Sequence, residues 1–284
     1  MHIDGIKDNR VTVNLHNGIA DVRLNRADKR NALDDALFQS LAAAGDALTS
    51  LPGLRAVVLS GEGESFCAGL DFGSFKGMSQ RDGKTSTIGT MVAEDAMTHL
   101  AQQVCWVWQE VPVPVIAALQ GHALGGGMQI ALCADIRIAH PDTQLSVREV
   151  FWGLIPDMTG TLMLSQLVRP DVARELVYSA RILQADEGHA LGLITHLSED
   201  PLVAAQSLAT EIASRSPDAV RAAKRLLTRK LKAEAAEQFA AERQEIHRLI
   251  GSANQNEAVK AYFEKREPEF TDADSGELDH RRQK

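Results

Sequence analysis

Hydrophobic positions along this chain alternate between two periods, and each change marks an element. Residues 11–15 and Ile19–Leu24 are short β-rich runs that meet at His16-Asn17-Gly18, and Asn-Gly is the strongest short-range hairpin signal. Over 31–48 the period becomes helical, with Leu33, Leu37, Leu41 and Leu48 on one stripe. Pro52-Gly53 ends that helix, and 55–60 reads as a buried strand. A second long helical pattern runs over 93–109 and stops before Pro112. A strand at 113–119, a cluster of glycines, a helix near 126–134 and a strand at Ile136–Ala139 follow. Strands separated by helices of this length imply βαβ crossovers and a mostly parallel sheet, an α/β fold class.

Beyond residues 194–197 the pattern is almost purely helical. Asp200-Pro201 and Ser216-Pro217 each put a capping side chain before a proline suited to the first helical position. Leu202, Ala205, Leu208 and Ile212 recur at helical spacing, as do Phe239, Ile246 and Ile250. A last helix is expected at 254–264. Three regions result: a core over 1–198, a helical region over 199–264 and a polar tail over 265–284 expected to be disordered. The segment 73–90 is polar and rich in Gly, Ser and Thr, and reads equally as a functional lid or as surface slack.

Charge sharpens one part of this picture. Residues 111–134 hold 24 positions without Lys, Arg, Asp or Glu, in a chain that is 24% charged. Such a window is either a membrane span or deeply buried. Pro112, Pro114, four glycines, Gln120, His122 and Gln129 inside it exclude an unbroken spanning helix. The N-terminus has no apolar stretch of a secretory signal, so a cytoplasmic protein is expected, with no membrane partner. Across 284 residues, 30 Lys+Arg against 38 Asp+Glu leave −8, which makes nucleic acid a poor partner. The basic clusters at Arg26, Lys29 and Arg30 and over 221–232 read as solvated faces ahead of phosphate sites. Three cysteines without CxxC spacing and nine histidines without an HxxxH pair support neither a disulfide framework nor a metal site.

Two glycine-rich stretches follow buried strands. The first, Gly61-Glu62-Gly63-Glu64-Ser65-Phe66, fails as a dinucleotide loop, because Phe66 replaces the third glycine and two acids would repel a pyrophosphate. No GK[ST] or GxSxG follows either stretch. Gly125-Gly126-Gly127 opens a helix after an apolar strand. Its backbone N–H groups could stabilise charge developing on a carbonyl oxygen, with the loop 67–71 supplying a second donor. The plainer reading is close helix–strand packing. Glu149 and Asp157 stand eight residues apart around the apolar stretch VFWGLIP, a setting that raises carboxyl pKa values and suits general acid/base work. Taken alone, each reads first as an ordinary surface carboxylate.

Taken together, the motifs resemble the crotonase superfamily, the enoyl-CoA hydratase/isomerase group. The carriers are LNRADKRNAL from Leu24, SFCAGLD from Ser65, ALQGHALGGGMQIALCADIRIA from Ala118, REVFWGLIPDMTGT from Arg148, ADEGHALGLI from Ala185 and SPDAVRAAKRLL from Ser216. The likeness covers about residues 8–264. It implies a spiral core of ββα turns followed by a helical trimerisation region, and a homotrimer or a hexamer built from two trimers. It implies an acyl-CoA thioester as substrate, in fatty acid metabolism, with no cofactor beyond the coenzyme A that the substrate carries and no metal. By position, Ala68 and Gly126 would give two N–H donors to the thioester oxygen. Gly69, Leu70 and Asp71 would line the CoA and acyl entrance, with Lys29 and Arg30 near the CoA nucleotide.

One departure from the hydratase pattern carries information. Hydratases of this group use two glutamates, one just after the glycine turn and one matching Glu149; here the first position is Gln129. The spacing of Glu149 and Asp157 is instead similar to that of the dienoyl-CoA isomerases. The resemblance then implies that Asp157 removes the C2 proton, the oxyanion hole holds the dienolate and Glu149 protonates the far end. Gln129 would lie in the substrate site, orienting a polar group or filling space. An enoyl-CoA hydratase of the β-oxidation type is the alternative, and a non-catalytic or RNA-binding homologue a remote one.

Overall fold

The computed structural model describes residues 1–73 and 96–272. Strands β1 (Val11–His16) and β2 (Ile19–Leu24) form the expected antiparallel hairpin, with Asn17 and Gly18 both at positive φ, as its two-residue turn requires. Helix α1 covers Asp35–Thr49, so the helix expected from residue 31 begins four residues later. The cause is local. Arg30 and Asn31 adopt left-handed backbone, Leu33 pairs in a β-bridge with Leu70, and Asp34 caps the helix by accepting the Leu37 N–H at 2.8 Å.

Strand β3 (Ala56–Gly61) is followed, among the described residues, by α2 (Leu100–Glu110), β4 (Val115–Leu119), β5 (His122–Leu124), α3 (Gly126–Leu132), β6 (Ile136–Ala139) and β7 (Gln144–Ser146). A 3-10 turn at Glu149–Trp152 leads to α4 (Gly160–Leu167), α5 (Pro170–Ser179), β8 (Leu183–Gln184), α6 (Ala185–Leu191) and β9 (His196–Leu197). The chain then runs through α7 (Pro201–Ala213), α8 (Pro217–Leu249) and α9 (Ala253–Glu264). The main sheet has the order β1-β2-β3-β4-β6-β9, parallel apart from the opening hairpin. A second sheet, β5-β7-β8, stands beside it.

Both faces of the central strands are covered, which is why they read as unbroken apolar runs. Val57, Leu59, Val115 and Ala117 face the core shared with α1 and α2. Ala56, Val58, Ile116 and Ala118 alternate to the other face, against Ala205 and Ala209 of α7. The charge-free window supplies β4, β5 and α3, and α3 is buried throughout. Among the described residues no helix is long and apolar enough to cross a membrane.

The prolines at 201 and 217 sit in first helical turns, capped by Asp200 and Ser216 as expected. One stripe of α8, Leu231, Ala235 and Phe239, joins the same core as the sheet. Lys224, assigned to a solvated basic face, is instead buried, its ammonium 2.7 Å from Asp135 and bonded to the Trp108 and Val113 carbonyls. The start of the polar tail is tied down, since Arg266 pairs with Glu257 and the Thr271 N–H donates to Asn254. The rest of it, 273–284, lies outside the described residues, as do 93–95 and the candidate lid apart from Gly73.

Candidate active site

A cavity of about 770 Å³ opens between the segment 26–33, the loop 68–72, the start of α3, the 3-10 turn and α9. It is built by a zipper of backbone hydrogen bonds. Cys67 N–H donates to His122 O and Leu124 N–H to Cys67 O, which fixes the loop against β5. On its other side Ala68 N–H donates to Arg30 O (2.9 Å), Leu33 N–H to Gly69 O (2.8 Å) and Asp71 N–H to Leu33 O (3.0 Å). Gly69 is required here. Its φ is +91°, and a Cβ would lie 2.8 Å from the Leu124 carbonyl.

This register corrects one expectation. The Ala68 N–H is already bonded to Arg30, so it is not a free donor. Because Gly69 C=O and Asp71 N–H both point at Leu33, the intervening Leu70 N–H points away from it. Among the described residues the Leu70 N–H has no acceptor. Neither has the Gly126 N–H in the opening turn of α3. Leu70 and Gly126 both line the cavity.

Glu149, which opens the 3-10 turn, and Asp157 line it as well, although seven residues separate them. Burial pushes the Glu149 carboxyl up to about 8, with the neighbouring Asp157 charge adding to the effect. Burial also raises Asp157, to about 7, and the charge of Glu242 adds to it. Glu149 Oε1 accepts a 2.7 Å hydrogen bond from Gln129 Nε2, while its buried Oε2 has no partner. One carboxyl oxygen is thus held and the other is free.

Gln129 is not a substrate contact, and this is a second correction. It is fully buried behind the cavity wall and does not line the cavity. Both ends of its amide are engaged: Nε2 holds Glu149, and Oε1 accepts the Met158 and Gly160 N–H groups, each at 2.9 Å. A glutamine does this in a way a carboxylate could not, since it donates at one end and accepts at the other. Of its two expected roles, orienting a polar group is the one the geometry fits.

Lys29 and Arg30 are exposed and border the cavity. The Asp71 carboxylate also lines it, but is engaged by Arg26 at 2.7 Å and by the Gly73 N–H. Two contributions escaped the sequence. Arg26, which also pairs with Asp34, ties 24–34 to the loop 68–72. Trp152 and Tyr262, with ring centroids 4.8 Å apart, bring α9 into the cavity wall.

Comparison with known proteins agrees with this architecture. The sequence profile of the enoyl-CoA hydratase/isomerase family matches residues 14–273, and the chain belongs to that family, within the crotonase superfamily. Mitochondrial methylglutaconyl-CoA hydratase of Mus musculus is 32% identical over 262 residues, which span 89% of this chain and 79% of that protein. The short-chain-enoyl-CoA hydratase of Clostridium acetobutylicum is 31% identical over 264 residues, 92% of this chain and 97% of that one. A crystal structure of an enoyl-CoA hydratase/isomerase from Pseudoalteromonas atlantica superposes with a TM-score of 0.81 at 29% identity, covering 93% of this chain and all of that one. The fold is therefore the crotonase fold with a C-terminal helical region, and the protein is an enzyme of that family.

Proposed function

We propose that the protein is an acyl-CoA isomerase of the Δ3,5-Δ2,4-dienoyl-CoA type. The observation that carries this reading is the pair Glu149 and Asp157, both facing one cavity and both raised toward neutrality, with Gln129 where a hydratase has its other glutamate. Burial raises both carboxyls toward neutrality, so within one cavity one can serve as the base and the other as the acid. Asp157 takes the acidic C2 proton of the thioester. The negative charge moves to the thioester oxygen, held by the Leu70 and Gly126 N–H groups, and Glu149 delivers its proton to the remote end of the conjugated system. Lys29 and Arg30 meet the CoA phosphates at the entrance.

The hydratase reading is favoured by the relatives at about 30% identity, which are named as hydratases. In that case Glu149 activates water without a second glutamate. To separate the two, purified enzyme is given a 3,5-dienoyl-CoA and crotonyl-CoA, with diene absorbance and loss of the enoyl thioester followed separately. Conversion of the diene without hydration supports the isomerase; rapid hydration with no diene shift removes it.

A further inference from the structure

The turn carrying Asp157 is held in an unusual way. Four successive amide N–H groups follow the aspartate, and two buried side chains share them alternately. Gln129 Oε1 accepts from Met158 and Gly160. Glu242, from the C-terminal third of α8, accepts from Thr159 at 3.0 Å through Oε2 and from Thr161 at 3.3 Å through Oε1. Thr159 has φ +77°, a costly conformation for a β-branched residue, and is fully buried. Its hydroxyl also meets the Cys133 thiol at 3.1 Å.

Glu242 is only 2% exposed, and its remaining acceptor capacity is filled by donors. Gln102 Nε2 donates to Oε2 at 3.0 Å, and the Thr161 hydroxyl donates to Oε1. That hydroxyl proton is available because Thr161 Oγ1 itself accepts from Gln238 Nε2 at 2.8 Å. Four donors converge on two oxygens, so a proton on Glu242 would have no acceptor to meet. These donors favour the carboxylate and oppose the burial that raises the Glu242 carboxyl above the ordinary glutamate value. Among the described residues no cation pairs with it. Arg243, the next residue, donates instead to Gln102 Oε1 and the Met97 carbonyl.

We infer that Glu242 is a positioning residue for proton transfer: it fixes the turn that presents Asp157, and its buried charge sets how readily Asp157 gives up a proton. This rests on the assignment of Asp157 as the base. Glu149, on the 3-10 turn, lines the same cavity, and Glu242 on α8 holds the turn that follows Asp157. Helix α3 contributes the neutral Gln129, and α2 the buried Cys105 thiol, which feels the charges of both Asp157 and Glu242. Arg26, Lys29, Arg30 and Arg148 are the cations lining that cavity. The direction of the Asp157 shift agrees, Glu242 being its largest electrostatic cause after burial. A base held near neutral pH is matched to abstracting a weakly acidic C–H proton, whereas an ordinary aspartate would be too weak.

The test compares Glu242→Gln, which removes the charge, with Glu242→Asp, which keeps it but shortens its reach to the two N–H groups. The Asp157 protonation midpoint is read by infrared titration as the carboxyl band that Asp157→Asn abolishes, a readout independent of turnover. In Glu242→Gln the midpoint is expected to fall by about one unit, with the acid limb of kcat/KM on the dienoyl-CoA following it. In Glu242→Asp the midpoint is expected to stay near wild type, while kcat falls at least tenfold and KM changes less than threefold. A folded Glu242→Gln with an unmoved midpoint overturns the inference. So does a midpoint in Glu242→Asp that falls as far as the Gln variant's, or a Glu242→Asp kcat equal to wild type. If Glu242→Gln does not fold, the Asp variant decides alone. Absence of any dienoyl-CoA turnover would defeat the isomerase reading, while the infrared midpoints would still report on Glu242.

Discussion

Glu149→Gln removes a single ionisable group while keeping a carbonyl oxygen for the Gln129 hydrogen bond, so its effect on stability isolates the charge. In the folded protein burial holds the Glu149 carboxyl at about 8, against 4.5 for a free glutamate. The folded form therefore keeps a proton that the unfolded chain releases. The stability this supplies is fully present below about pH 4.5 and is lost as pH rises towards 8. Each pH unit in that window is worth about 1.4 kcal/mol, so between pH 5.5 and 7.5 Glu149 alone removes about 3 kcal/mol. Asp157 and Glu242 are raised too, but they are present in both proteins and cancel in the difference. Urea unfolding of wild type and variant at the two pH values measures it. The wild type should lose about 3 kcal/mol more than Glu149→Gln on going to pH 7.5. Equal losses would refute the picture of Glu149 as a buried, neutral acid.

Other outcomes follow from the same geometry. The kcat/KM profile on the favoured substrate should be bell-shaped, rising through about pH 7 as Asp157 ionises and falling through about pH 8 as Glu149 does. Asp157→Asn should lower kcat by about 10²–10⁴ with little change in KM, read in steady-state assays. Gly126→Ala would bring a Cβ within 2.8 Å of Leu33 Cδ1 and 3.0 Å of Met158 Sδ, so these two side chains must be displaced in the cavity wall; turnover should drop by about tenfold in steady-state assays. Gln129→Leu leaves two buried N–H groups and one Glu149 oxygen without their partner, and should destabilise the fold by about 2–4 kcal/mol in chemical denaturation.

Much of this was legible in the sequence where the determining contacts are local. The Asn17-Gly18 hairpin, the central strands and the Asp200 and Ser216 caps depend on neighbours a few residues away, and all stand where the pattern puts them. Glu149 and Asp157 were legible as a pair because the apolar stretch between them returns both to one wall. The free amide in the loop 67–71 was not, because which N–H is spent depends on pairing with residues 30–33, and that register reads Leu70 rather than Ala68. The true start of α1 was hidden for the same reason, since Leu33 keeps the helical spacing but belongs to that bridge. Glu242 lies more than eighty residues from the turn it holds. Its one signal is positional, an acid on the buried stripe of Leu231, Ala235, Phe239 and Ile246.

Division of labour between the two carboxylates is the central claim, and hydrogen exchange at the substrate tests it most directly. A dienoyl-CoA is incubated in D2O with wild type, Glu149→Gln or Asp157→Asn, and deuterium at C2 is measured by mass spectrometry or NMR alongside diene isomerisation. The predicted result is exchange with isomerisation in wild type, exchange without isomerisation in Glu149→Gln, and neither in Asp157→Asn. Exchange at the wild-type rate in Asp157→Asn would contradict the assignment of Asp157 as the base.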